Sequence, residues 1–219
     1  NTDFKVVLNG DGADELMGGY LYFNSCKSED EFKEECFRLL ENIHYFDVLR
    51  SDRCISSHGL EPRTPYLDRD FTKFYLSIPM KFRKLKIEKE FIRETFEMYD
   101  PKLLPYKVLW RKKEAFSDGV SSLHKSWFKI IQDRLKNYKP KKVENLTQEQ
   151  SYYKDVFNSY YDDCSHLIPY YWMPRFTYSN DPSARTIGLY DRNIVYKYFY
   201  MVKHFFTGVV MNRFRKFFF

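Results

Sequence analysis

Phe4-Lys5-Val6-Val7-Leu8-Asn9-Gly10-Asp11-Gly12-Ala13-Asp14-Glu15-Leu16-Met17-Gly18-Gly19-Tyr20 is the stretch on which the fold turns. The apolar, partly β-branched run from Phe4 to Leu8 stops abruptly at Asn9-Gly10-Asp11-Gly12, the pattern of a buried strand ending in a glycine-punctuated turn. Ala13 to Met17 then reads as a short helix closed by Gly18-Gly19. Such a junction is first of all a turn. It can also hold phosphate, because glycine lets backbone amides approach an anion and a helix N-terminus favours negative charge. Asp11, Asp14 and Glu15 crowd three carboxylates onto this elbow, and like charges packed together call for a cation among them. Arg50, Lys113 or a magnesium ion carried by a nucleotide are the candidates. The plainer alternative is that Asp14 caps the helix and Glu15 is solvated.

Downstream, the chain reads as helices. Ser28 and Glu31 form a capping-box pattern, and Phe32, Cys36, Leu39, Ile43 and Phe46 follow at helical spacing. One helix is expected to run through this stripe and to carry Asp47 and Arg50 on one face. Residues 59–68, with Pro62 and Pro65, read as an irregular connection. Further helices are expected over about Phe71–Ser77, Ile87–Tyr99, Ser122–Asn137 and 151–161, and one starting at Asp181. Trp110 to Gly119 reads as a loop, and residues 139–150 as an exposed polar connection. Only one strand is legible, and a lone strand is not stable without partners, so its neighbours are expected upstream of Asn1.

With 219 residues, 43% of them hydrophobic and 20% aromatic, the chain has the material for one packed domain and too much apolar content for disorder. The net charge of +6 is spread along the chain without a nucleic-acid motif, which points to a solvated basic surface and suits phosphate-bearing small molecules. Cys26, Cys36, Cys54 and Cys164 form no CxxC pair, so buried free thiols in a reducing compartment are expected rather than a disulfide framework or a zinc site. Residues 195–219 are dense in Phe, Tyr, Lys and Arg. Lys197, Lys203 and His204 leave no apolar run of membrane-spanning length. A packed terminal helix is the reading for this segment, with a membrane-surface or partner-binding helix as the alternative.

The blocks of sequence carry a resemblance. Val6 to Tyr20 is similar to the second signature of asparagine synthetases, LSGEGSDEVFGGY. Tyr45 to Arg53 resembles the family's FDVLRADR, and Leu60 to Asp68 its LE-R-PFLD. Ile87-Glu88-Lys89 resembles the start of an IEK block, and Trp110 to Gly119 resembles WR-KEAFSDG. Tyr171 to Arg175 and Asp181 to Arg185 complete an ordered set spanning Lys5 to Tyr190. Residues 1–190 are therefore identified as the C-terminal part of an asparagine synthetase domain, and residues 191–219 as a tail without a family counterpart.

The resemblance implies an α/β, adenine-nucleotide alpha-hydrolase-like (Rossmann-like) domain, of which this piece is mostly helical with one N-terminal parallel strand. It implies a cytoplasmic carbon–nitrogen ligase using ATP and Mg²⁺. Aspartate is activated as β-aspartyl-AMP and then attacked by ammonia drawn from glutamine. By position, Asn9, Gly10 and Asp14 would contact the nucleotide, while Asp11, Lys113, Asp47 and Arg50 would serve the chemistry. No metal-ligand set is implied within the chain. Small-molecule substrates are expected, with no nucleic acid, no membrane span, and a homodimer formed through an N-terminal glutaminase domain. Asn9 and Ala13 stand where the family has serines, and Asp11 where it has glutamate. The family's first phosphate loop, of SGGxDS type, does not occur in these residues, so tight ATP binding by the chain alone is not expected. Two alternatives accompany this reading. One is a non-catalytic remnant acting as an interaction module. The other is a β-lactam synthetase-like relative, against which Asp47 stands, because those enzymes pair a tyrosine with a glutamate.

Overall fold

The computed structural model describes residues 3–83, 87–111, 113–121 and 125–183. The 191–219 tail, and all but the first residues of the helix expected from Asp181, lie outside them. The fold is mostly helical around a two-stranded parallel sheet, β1 (Val6–Leu8) and β2 (Glu61–Arg63). Ten α-helices lie among the described residues, in order: α1 (Ala13–Met17), α2 (Glu29–Asn42), α3 (Asp47–Ser56), α4 (Arg69–Ser77), α5 (Met80–Arg83), α6 (Glu90–Tyr99), α7 (Tyr106–Leu109), α8 (Phe116–Gly119), α9 (Trp127–Leu135) and α10 (Gln148–Tyr160).

The expectation of a single strand fails here. β1 pairs in parallel with β2, Val6 opposite Glu61 and Leu8 opposite Arg63, so the first partner of β1 lies inside this chain and not upstream of it. The Glu61 amide donates to the Lys5 carbonyl at 2.7 Å and the Asn9 amide to the Arg63 carbonyl at 2.9 Å. Pro62 falls between these two bonded residues, where a parallel strand turns its N–H away from β1, so the missing donor costs the ladder nothing. A three-residue Glu-Pro-Arg strand carries no alternation and a proline at its centre, which is why it reads as a connection.

The long helix expected through Arg50 is in fact two. Ser28 caps α2 by accepting from the Glu31 amide at 3.1 Å, but the Glu31 carboxylate reaches back one residue further, to the Lys27 amide at 2.7 Å. After Asn42 the chain tightens into a 3₁₀ turn, and Phe46 (φ −122°, ψ −103°) leaves helical space altogether before α3 begins. The Phe46 ring packs at a tilt against Tyr170 with centroids 5.0 Å apart. Asp47 and Arg50 therefore ride on a separate helix, aimed independently of the α2 stripe.

The core lies against α1 and α2. Leu16 and Met17 are fully buried with Tyr75, under Tyr66, Phe71 and Phe91. Tyr22, Phe23, Cys26, Phe32, Cys36 and Leu39 make the adjoining cluster, covered by Tyr20, Met80 and Trp172. Burying a side chain such as Leu16 or Met17 stabilises the fold by about 1.5–3 kcal/mol, which is what pins a helix only five residues long. Gly18 closes α1 in the left-handed region (φ 62°), where a Cβ would also strike the Phe32 ring at 2.2 Å.

Phe116–Gly119 is helical (α8) inside the stretch expected as a loop, and the other expected boundaries shift modestly. α6 starts at Glu90 rather than Ile87, and α9 covers Trp127–Leu135. The polar connection ends earlier than expected: Thr147 and Gln150 form a full capping box, and α10 begins at Gln148. All four cysteines are free; Cys26 and Cys36 are buried as expected, but Cys54 is exposed and Cys164 half-buried. Among the described residues no helix is long and apolar enough to cross a membrane.

Candidate functional site

The elbow after β1 opens on a cleft of about 820 Å³. One wall is Asn9, Gly10, Asp11, Asp14, Glu15 and Tyr20 from the β1–α1 junction, with Phe46, Asp47 and Arg50 from the start of α3. Trp127 and Phe128 of α9, Glu149 of α10, and Trp172 and Asp181 face them, and Lys113 stands at the side. The seven residues singled out from sequence (Asn9, Gly10, Asp11, Asp14, Asp47, Arg50 and Lys113) thus line one cavity. Asp11 and Lys113 share it despite a separation of about a hundred positions.

Each is placed by local structure. The Asp11 amide donates to Asn9 Oδ1 at 3.2 Å, an Asx-type turn that folds the acid back over the strand end. Asn9 Nδ2 and Asp11 Oδ2 are buried without a partner among the described residues, an arrangement that is costly unless a ligand or water meets them. Asp14 does not cap α1: the N-cap is Gly12, and the Asp14 carboxylate is spent elsewhere. Its Oδ2 accepts from Lys113 Nζ at 2.9 Å and its Oδ1 from Lys89 Nζ at 2.7 Å. Burial alone would raise its pKa, but the two ammonium groups outweigh it and hold the carboxyl below its ordinary value. The Lys113 ammonium also lies 5.5 Å from the centre of the Tyr20 ring, within cation–π range. Arg50 Nη2 and Asp47 Oδ1 pair at 2.5 Å on the exposed rim, three residues apart on α3.

Glu15 is not solvated. It is 4% exposed and accepts a hydrogen bond from the Tyr20 hydroxyl. Burial pushes its carboxyl up to about 7, helped by the nearby charges of Asp47 and Asp14. The same burial, next to the carboxylates of Glu15, Asp47 and Asp14, lifts the Tyr20 phenol well above its usual range. The cations that answer the acid-rich elbow are Lys113 and Lys89 on Asp14, and Arg50 on Asp47. Lys89 falls within a block that resembles the family, but nothing in the sequence marks it as a site residue. Its signal, a lysine at the mouth of a helix, does not separate it from a solvated surface residue.

Trp172 and its neighbours are held from behind. Glu35 on α2 is fully buried and accepts from Tyr22 Oη (2.7 Å), Arg38 Nε (2.8 Å) and Arg175 Nη1 (3.0 Å). Arg38 in turn donates to the Tyr170 hydroxyl at 2.8 Å. The 170–176 segment is thereby tied to α2, and Trp172 packs on Tyr20 and Tyr22 with ring centroids 5.6 and 6.0 Å away.

The asparagine synthase family model matches residues 1–30 and 24–178. Proteins named asparagine synthetase [glutamine-hydrolyzing] are similar to it: the Gallus gallus protein at 45% identity over 210 residues, the Bos taurus protein at 44% over 207, and the Homo sapiens protein at 44% over 203. These alignments cover 87–88% of this chain and 36% of each relative, so the chain spans about a third of the length of the curated relatives it matches.

Proposed function

The chain belongs to the asparagine synthase family, and on that premise we propose that it supplies one wall of the adenylate-forming site of a glutamine-dependent asparagine synthetase. The observation that carries the proposal is the Lys113–Asp14 ion pair, which closes a cation over the strand–glycine–helix elbow.

In the reaction proposed, a β-carboxylate oxygen of aspartate attacks the α-phosphorus of ATP. The new O–P bond forms as the bond to the β-phosphate bridge oxygen breaks, giving β-aspartyl-AMP and pyrophosphate. Ammonia then attacks the activated carbonyl carbon, AMP leaves with the C–O bonding pair, and asparagine results after loss of a proton. Such chemistry asks mainly for alignment and for charge stabilisation of the leaving group. Lys113 answers the second need with a compact ammonium directed into the cleft. The Gly10 backbone and the Asn9 amide, with its unpartnered Nδ2, suit contacts to the nucleotide. Arg50, paired to Asp47 on the rim, suits a carboxylate of the amino-acid substrate. Magnesium bound to ATP takes most of its ligands from phosphates and water and one or two from protein carboxylates, a demand that Asp11 with its free Oδ2 fits.

The finer fold belongs to the same proposal. Val6 and Leu8 leave β1 largely exposed on one face, with Phe4 beside them. That supports further parallel strands of an adenine-nucleotide alpha-hydrolase-like sheet being added to this pair. In the complete protein, Lys113→Met is expected to lower kcat for aspartate-dependent pyrophosphate release by roughly 10²-fold or more, with a smaller change in KM for ATP. Undiminished release in that variant sinks the assignment.

A further inference from the structure

The segment at the mouth of α6 makes contacts that the proposed chemistry does not use. Glu88 Oε1 accepts the backbone N–H of Lys113 at 3.1 Å. Arg93, one turn into α6, pairs with Glu88 at 3.6 Å and donates to the carbonyls of Leu109 and, at 3.1 Å, Arg111. Lys89 sits between them with φ +57°, a left-handed conformation uncommon for a side chain of its size, and its ammonium reaches Asp14. Three residues at the start of α6 therefore hold the loop that carries Lys113 by its backbone, and hold the carboxylate that its ammonium meets. All of these side chains are largely shielded from solvent: Arg93 is 12% exposed, Glu88 14% and Lys89 21%.

Lys89 lines neighbouring cavities but not the main cleft, so it can reach the chemistry only through Asp14. There it divides the carboxylate: one oxygen goes to Lys89 and the other to Lys113. Two ammonium groups on one carboxylate leave the Lys89–Asp14–Lys113 cluster itself with a net positive charge. With Lys113 alone, Asp14 would neutralise the cation on which an incoming anion depends.

We infer that Glu88, Lys89 and Arg93 form a brace of positioning residues for Lys113, with Glu88 and Arg93 fixing its backbone and Lys89 sharing Asp14 so that the Lys113 charge stays available to a phosphate. The second half rests on the placement of Lys113 at the phosphates proposed above; the first is independent of it. The brace makes its two ends respond in opposite directions. Glu88→Ala frees the backbone and lets the Lys113 amine leave Asp14, whereas Lys89→Met leaves Asp14 to Lys113 alone and holds that amine more tightly against the carboxylate.

The test is the rate at which an N-hydroxysuccinimide acetate acylates Lys113, followed by peptide mass spectrometry on the complete protein without nucleotide. Acylation needs an amine that is accessible and released from its ion pair with Asp14. Glu88→Ala is expected to raise the Lys113 rate roughly fivefold, Lys89→Met to lower it roughly fivefold, and Lys89→Arg to restore it. A general loosening of the fold raises the rate in both variants. Rates that move in the same direction, or do not move, overturn the inference, as does a Lys89→Arg variant that behaves like Lys89→Met. The labelling reads Lys113 itself, so it stands or falls separately from the Lys113→Met turnover experiment.

Discussion

Glu15 shows how far one buried carboxyl can reshape the behaviour of a site. Its folded pKa of about 7 lies above the ordinary value of 4.5, so the unfolded chain gives up the proton first as pH rises. The stability that comes with the protonated form is fully present below about pH 4.5 and is lost as pH passes through about 7, a swing on the order of 3 kcal/mol. Glu15→Gln keeps an acceptor for the Tyr20 hydroxyl and removes the titration. It should melt several degrees above the parent at pH 8 and close to it at pH 5; matching melting curves at both values would refute this account. Gly19 makes a second residue-level case. A Cβ there would come 2.0 Å from Asp14 Oδ1 and 3.0 Å from the Asp14 Cα, so the carboxylate holding both lysines would have to move. Gly19→Ala is expected to cost about 1–3 kcal/mol in denaturant melts. Sequence could identify Asp14 and Lys113 as charged residues in matching blocks. It could not say that Asp14 divides its oxygens between two lysines, because that depends on where a chain 75 to 99 residues further on comes to rest.

At the scale of elements, α2 is the structural support of the cleft's aromatic wall. Glu35 meets one tyrosine and two arginines from three different parts of the chain. Burial by itself would raise its pKa, but Arg38, Tyr22 and Arg175 more than offset it and hold the carboxyl below its usual value. The sign is opposite to that of Glu15: this stability is present above about pH 4.5 and is lost as pH falls through the folded pKa. Glu35→Ala leaves Arg38 and Tyr22 with unmet hydrogen bonds at about 3–5 kcal/mol. It should also release the 170–176 segment, seen as a red shift of the Trp172 emission at temperatures below the melt. A variant with unaltered stability and emission would show that the hub is dispensable. The α2 stripe was legible from spacing alone, and so was the short α1 with its closing glycines. The break at Phe46 was not, because a single residue in an off-helix conformation leaves the periodicity of Ile43 and Phe46 intact. β2 was hidden for a different reason: its identity comes from the hydrogen bonds β1 offers it, not from its own residues.

For the whole molecule, the cleft is a product of assembly. Its walls come from the β1–α1 elbow, from α3, from α9 and α10, and from the 170–183 segment. A two-stranded sheet of three residues per strand, with Phe4 at 75% and Leu8 at 70% exposure, has little capacity to hold a nucleotide on its own. With no SGGxDS loop among these residues either, calorimetric titration of the 219-residue chain with ATP should show no micromolar binding. Saturable binding in that range would mean the elbow grips phosphate unaided.

By itself, the sequence determined the family, the elbow and the order of its blocks, because strand, glycine turn and short helix are encoded within a few neighbouring residues. It also determined which charged groups would need partners. Only the tertiary structure decided who those partners are: Lys89 and Lys113 for Asp14, Tyr20 for Glu15, and Arg63 and Glu61 alongside β1. Spacing along a chain fixes which faces residues share within one element. Distances between elements are set by packing, and hydrogen bonds and charge pairs respond to those distances.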